Sequence, residues 1–230
     1  MTPAVKICGL VRPDDAAVAV ASGARYVGAI FAGGPRIVSA AAARLVFEQA
    51  GTATRVVVVG HEPVDDIVRT AMAAGADIVQ LHGDPSPRMV LDLRERWPGG
   101  IWAALRVAPS TFDSDRAVEL FRVADGVVLD AYVSGALGGT GVAIDWRALE
   151  APVQAVRAAA DASALLVLAG GLTPDNVQSG IRWLAPDVVD VSSGVESAPG
   201  IKDHARVRRF VAAARGDSED NEQLSLAGVQ

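Results

Sequence analysis

A thiol, a carboxyl group and two glycine-bearing turns stand at the ends of short apolar runs, where they could shuttle protons around a bound anion. Cys8 ends the run that starts at Val5, and Asp130 follows Val127-Val128-Leu129. A carboxyl group at the edge of an apolar interior has a raised pKa and can donate a proton near neutral pH. No helical pattern begins directly after Asp130, so a helix-capping role is poor; an Asx turn is its plain structural alternative. A lone Cys8 reads more often as a small buried hydrophobe than as a nucleophile or base, and its place at the end of an apolar run shifts that balance toward chemistry.

The glycine turns follow two further runs, Leu165–Leu168 and Val188–Val191. The first continues as Ala169-Gly170-Gly171-Leu172-Thr173-Pro174 and the second as Ser192-Ser193-Gly194-Val195-Glu196. Without Cβ atoms, Gly170, Gly171 and Gly194 let backbone N–H groups come close to a ligand. Bare amides at a strand-to-helix turn suit a phosphate, and the pair of turns favours that reading over simple tight turns. Two other rim residues stand beside them. His82, in Gln80-Leu81-His82-Gly83, reads as a substrate contact or as a hydrogen-bond donor within its own turn. Arg36, in the small-residue loop Gly33-Gly34-Pro35-Arg36, could clamp a carboxylate with both arms of its fork.

The elements that must position these groups form a series. Val5–Cys8, Tyr26–Phe31, Arg55–Val59, Ile78–Leu81, Trp102–Val107, Gly126–Leu129, Leu165–Leu168 and Val188–Val191 read as strands. Helical patterns begin near Pro13, Ser39, Pro63, Ser86, Ser114, Asp145, Pro174 and Lys202. Thr173-Pro174 reads as an N-cap followed by proline at the first helical position. Eight alternations predict an α/β chain, either a single (β/α)8 TIM barrel or an open doubly wound sheet. The count of eight, with the glycine turns after strands seven and eight, favours the closed barrel. One barrel domain is expected over residues 1–215. The remainder, 216–230, is acidic (Asp217, Glu219, Asp220 and Glu222, with no Lys or Arg) and reads as a disordered tail. The glycine-laden connection Ser134–Gly141 lies in a loop of roughly fourteen residues, long enough for a lid.

Composition narrows the function classes. The chain is 50% hydrophobic but only 5% aromatic, and its net charge is −6. That balance argues against a nucleic-acid partner. No apolar run reaches membrane-span length, and the single cysteine suits a reducing cytoplasm. No metal-ligand spacing stands out.

In order and spacing, Lys6-Ile7-Cys8-Gly9-Leu10, Gln80-Leu81-His82-Gly83, Leu129-Asp130-Ala131, Gly138-Gly139-Thr140-Gly141, Gly170-Gly171-Leu172-Thr173-Pro174 and Asp190-Val191-Ser192-Ser193-Gly194-Val195-Glu196 resemble the phosphoribosylanthranilate isomerases of tryptophan biosynthesis. The resemblance runs from Val5 to about Phe210. It implies an Amadori rearrangement of a phosphosugar substrate without metal or cofactor, by a monomer or homodimer. By the same resemblance Asp130 is the general acid, Cys8 the general base and Arg36 the partner of the anthranilate carboxylate. His82 and Asp190 bind substrate, Asp190 at a hydroxyl. The amides around Gly170, Gly171, Ser193 and Gly194 take the phosphate. The chain departs from the family at Gly33-Gly34, where Lys-Ser is usual, at Val142-Ala143-Ile144, and around Gly60-His61. Two rivals stand beside this reading. One is the isomerase of histidine biosynthesis, which uses two aspartates; Cys8 and the lack of a half-barrel repeat speak against it. The other is a phosphosugar-binding barrel without turnover.

Overall fold

The computed structural model describes residues 2–107, 112–131 and 145–217. The connection Ser134–Gly141, the triplet Val142-Ala143-Ile144 and tail residues 218–230 lie outside the described residues. Eight parallel strands close on themselves in sequence order: β1 (Ala4–Ile7), β2 (Tyr26–Ile30), β3 (Thr54–Val59), β4 (Ile78–Leu81), β5 (Gly100–Val107), β6 (Gly126–Ala131), β7 (Leu165–Leu168) and β8 (Val188–Val191). Pairing of β1 with β8, Lys6 opposite Asp190, completes the barrel and removes the open-sheet alternative.

Because side chains alternate across a strand, each apolar run feeds two cores. The inward set includes Tyr26, Val56, Trp102, Ala104, Val128, Val167 and Val188. Tyr26 and Trp102 meet there with ring centroids 5.0 Å apart and planes at 57°, a tilted contact favoured by the ring quadrupoles. The outward set, with Ile7, Val27, Val57, Leu81, Ile101, Leu129 and Leu168, packs beneath the helices. Those helices are α1 (Pro13–Ala21), α2 (Ala40–Glu48), α3 (Val64–Ala74), α4 (Pro87–Arg94), α5 (Ser114–Val123), α6 (Trp146–Ala160), α7 (Val177–Leu184) and α8 (His204–Arg215). The hydroxyls of Ser39 and Ser86 and the carboxylate of Asp145 accept the N–H groups of Ala42, Met89 and Ala148, so these starts follow from side-chain caps.

One expectation fails near the C-terminus. Thr173-Pro174 does not begin a helix; α7 starts at Val177, because Asn176 folds the preceding turn on itself. Its side chain accepts from the Thr173 N–H and donates to the Gly171 carbonyl. The helix expected near Lys202 forms as α8, from His204. Lys202 lies in a hairpin, β9 (Glu196–Ala198) and β10 (Ile201–Lys202), and Asp203 caps the helix. A strand pair this short has no periodicity to read. No helix among the described residues is long and apolar enough to cross a membrane.

Candidate active site at the C-terminal mouth of the barrel

Inward alternation on β1 places Lys6 inside the barrel and Cys8 one layer nearer the mouth. Lys6 is fully buried, where an ammonium needs partners. It donates to Asp190 Oδ2 at 2.6 Å and to Gln80 Oε1 at 2.9 Å, tying β1 to its neighbour β8 and to β4 across the barrel. Burial pulls the Lys6 pKa down, but Asp190 and Cys8 together push it up further, so the ammonium stays charged with its pKa above the usual value. The other Asp190 oxygen, Oδ1, is buried without a partner.

Cys8 packs against Gly28 of β2. A Cβ there would come within 2.9 Å of the sulfur and 3.3 Å of the Lys6 side chain, so glycine makes room for thiol and ammonium together. Burial pushes the Cys8 pKa up; the charges of Lys6 and Lys202 pull it back, and Asp190 adds to the rise. Asp130 closes β6 on the same rim, its side chain 22% exposed and Oδ2 3.5 Å from His82 Nε2. Desolvation also raises its pKa; His82, Arg106 and Lys6 oppose that rise while Asp190 reinforces it. His82 itself keeps a buried Nδ1 without a partner.

The two glycine turns touch. Gly170 and Gly171 have φ of +82° and +67°, and a Cβ on Gly171 would meet open space. Gly194 instead lies on the first turn: a Cβ there would fall 1.9 Å from the Leu172 carbonyl oxygen. Ser193 and Gly194 open a single 3₁₀ turn, Ser193–Val195. The N–H groups of Gly171, Ser193 and Gly194 donate to no protein acceptor among the described residues. The paired turns thus form one edge with amides to spare, and turn-to-turn packing alone already requires glycine at 194.

Arg36 does not stand free. Its Nε and Nη2 donate to Glu196 Oε1 and Oε2, each at 2.7 Å. Buried Lys202 donates to the same Oε1 at 2.8 Å and to the Ser192 carbonyl at 3.0 Å. Sequence reasoning assigned no role to Lys6, Gln80, Glu196 or Lys202. The signal for Lys6 was present, a lysine two residues before Cys8 in a run whose alternation points it inward. Lys202 and Glu196 gave no comparable signal. Among the described residues no cluster of three His, Cys, Asp or Glu side chains is arranged to hold a metal.

A closed eight-stranded barrel whose C-terminal mouth gathers a thiol, a raised-pKa carboxyl and a buried ion pair is the arrangement of a TIM-barrel enzyme. The family model for N-(5'-phosphoribosyl)anthranilate isomerase matches residues 5–213, and the chain belongs to that family. It is 40% identical over 213 residues to the N-(5'-phosphoribosyl)anthranilate isomerase of Rubrobacter xylanophilus, covering 92% of this chain and 98% of the relative. The phosphoribosyl anthranilate isomerase structure from Thermotoga maritima aligns with a TM-score of 0.81 at 33% identity, over 93% of this chain and 99% of that one. Monomers generated from that dimeric enzyme align over the same shares at a TM-score of 0.77 and 33% identity. An isomerase bound to reduced 1-(o-carboxyphenylamino)-1-deoxyribulose 5-phosphate gives a TM-score of 0.77 at 32% identity, again over 93% and 99%.

Proposed function

We propose that this chain catalyses the Amadori rearrangement of N-(5-phosphoribosyl)anthranilate to 1-(2-carboxyphenylamino)-1-deoxyribulose 5-phosphate, an aldose–ketose isomerisation in tryptophan biosynthesis. Family membership and full-length similarity to named isomerases support the reaction. The observation that carries the assignment of residues is the placement of Asp130 and Cys8, the chain's one thiol, around a single buried Lys6–Asp190 pair at the barrel mouth.

Asp130 gives its proton to the furanose ring oxygen, and the C1′–O bond opens as the anthranilate nitrogen forms a protonated Schiff base. The Cys8 thiolate then takes the C2′ proton, and the freed electron pair forms the C1′=C2′ bond while the C=N pair returns to nitrogen, giving an enolamine. Loss of the enol proton and protonation of C1′ yield the ketose. Desolvation supports the first step, because it keeps Asp130 protonated at a higher pH than usual. For the second, the fixed Lys6 ammonium is the counter-charge that stabilises the thiolate against burial. Asp190 presents its unpaired Oδ1 to a substrate hydroxyl, and His82 orients Asp130. Arg36 meets the anthranilate carboxylate, and the amides of Gly170, Gly171, Ser193 and Gly194 hold the phosphate without metal or cofactor. The enzyme acts in the cytoplasm, as a monomer or homodimer.

Following the loss of phosphoribosylanthranilate fluorescence with purified protein tests the reading. Turnover is expected. Tight binding of the reduced product analogue with no turnover would leave only a phosphosugar-binding barrel.

A further inference from the structure

We infer that Glu196, anchored by Lys202, is a positioning residue that turns the free terminal edge of the Arg36 guanidinium toward the substrate's aromatic carboxylate. The inference rests on the reading of Arg36 as that carboxylate's partner.

A guanidinium carries five N–H donors in one plane. Glu196 takes the side edge, Nε and Nη2, in a bidentate pair at 2.7 Å and 2.7 Å. Among the described residues both Nη1 protons and the second Nη2 proton have no acceptor, and one from each nitrogen forms the end-on fork that matches a carboxylate. Glu196 therefore leaves room for a ligand on the same arginine. The location is right as well. The Arg36 stem crosses over Gly9, next to Cys8, so closely that a Cβ on Gly9 would lie 2.7 Å from Arg36 Cδ.

The loop fixes the backbone after Arg36 through the Val38 N–H to the Ile30 carbonyl, but gives the Arg36 side chain no hydrogen-bond partner among the described residues. Gly33 and Gly34 precede it with φ of +96° and +86°, and neither has an atom within 4 Å of where a Cβ would stand. The restraint comes instead from the β9–β10 hairpin, where Lys202 and Glu196 are cross-strand partners. Lys202 is buried, bonded to Glu196 Oε1 and anchored on the Ser192 carbonyl, so the carboxylate cannot swing away with the arginine. The trio Arg36, Glu196 and Lys202 carries one net positive charge, which suits it to one further anion.

The test titrates two ligands: the reduced product analogue and its phenyl counterpart lacking the carboxylate. Binding is measured to wild type, Glu196→Gln, Arg36→Met and the double variant. Glu196→Gln is expected to weaken the carboxylate ligand roughly tenfold and the phenyl ligand less than about twofold. In the Arg36→Met background it should add nothing. Equal weakening of both ligands, no weakening of either, or a further loss in the double variant would overturn the inference. Should Glu196→Gln not fold by circular dichroism, a crystal structure of the wild-type complex decides. Glu196 retained on Nε and Nη2 with the carboxylate on the terminal edge supports the inference, and Glu196 displaced from Arg36 overturns it. Wild-type turnover of phosphoribosylanthranilate is read separately, so loss of this inference and loss of the proposed reaction remain distinguishable.

Discussion

The two ends of the barrel use the same side chains to opposite purposes. At the N-terminal end, Asp77, Asp125 and Asp187 each stand one residue before an even-numbered strand. Each accepts the backbone N–H of the strand before it, from Arg55, Ile101 and Leu166 at 2.9, 2.7 and 2.8 Å. Each also pairs with an arginine, Arg55, Arg94 and Arg157 respectively. Each of these three carboxylates thus has a strand N–H and an arginine as partners, and Arg55 holds the Asp77 pKa below its usual value. At the C-terminal end Asp130 is raised by burial, Cys8 is raised by burial, and Asp190 and His82 each keep an unpartnered buried atom. Satisfied polar groups close the sheet, whereas unsatisfied ones are left for a substrate to complete.

The largest effects should come from breaking the catalytic end. Cys8→Ser and Asp130→Asn are each expected to lower kcat by roughly 10²–10⁴-fold, since one loses an ionisable base and the other a proton donor. Thermal unfolding should barely register Cys8→Ser. A variant that keeps most of its kcat would move that residue from chemistry to packing.

A smaller but sharper test is the pH profile. The reaction needs Asp130 protonated and Cys8 ionised, while burial moves both pKa values upward. Between the two values the active ionisation state is a constant minor fraction. kcat/KM should therefore be flat there, falling below the raised Asp130 value and above the raised Cys8 value. Because Cys8 is the chain's single cysteine, ultraviolet absorbance of the thiolate titrates it directly. A Cys8 midpoint below the ordinary thiol range would contradict the burial argument.

The opposite end should respond in stability alone. Asp187→Ala strands the Leu166 N–H and the Arg157 guanidinium and is expected to cost about 1–3 kcal/mol, with kcat unchanged. The two ends should also differ in the sign of their pH dependence. Asp77 has a folded pKa below its unfolded one, so its contribution is present above about pH 4 and lost as pH falls through the folded value. Asp130 has a folded pKa above its unfolded one, so its ionisation costs stability as pH rises through that interval. Asp130→Asn should accordingly raise the melting temperature at neutral pH and leave it unchanged in acid. A melting temperature that falls at neutral pH would mean that Asp130 is a structural carboxylate like those below.

The mildest expected change is at the phosphate turns. Gly171→Ala adds a methyl facing open space at φ +67°, a strain of about 1 kcal/mol, and should raise KM about threefold with little change in kcat. An unchanged KM would place the phosphate elsewhere.

Much of this architecture was legible along the chain. Apolar runs of four to eight residues, each bounded by turn signals, determine strands, and Ser39, Ser86 and Asp145 determine helix starts through local caps whose partners lie three residues away. Cys8, Asp130 and the glycine turns were legible for a related reason: each stands where a strand must end, and strand ends of a barrel share one mouth. The aspartates of the opposite end were equally visible, one before each even strand from β4 onward, but their purpose depends on an N–H twenty-odd residues distant in sequence. Only the tertiary structure decided that Lys6 and Asp190 would neutralise one another, because that pairing exists only when the first strand meets the last. Likewise only closure of the barrel brings Glu196 and Lys202, on a hairpin too short to read, against an arginine 160 residues earlier in the chain. Local periodicity sets what each segment becomes; long-range charge pairing sets which of its polar atoms remain free to act.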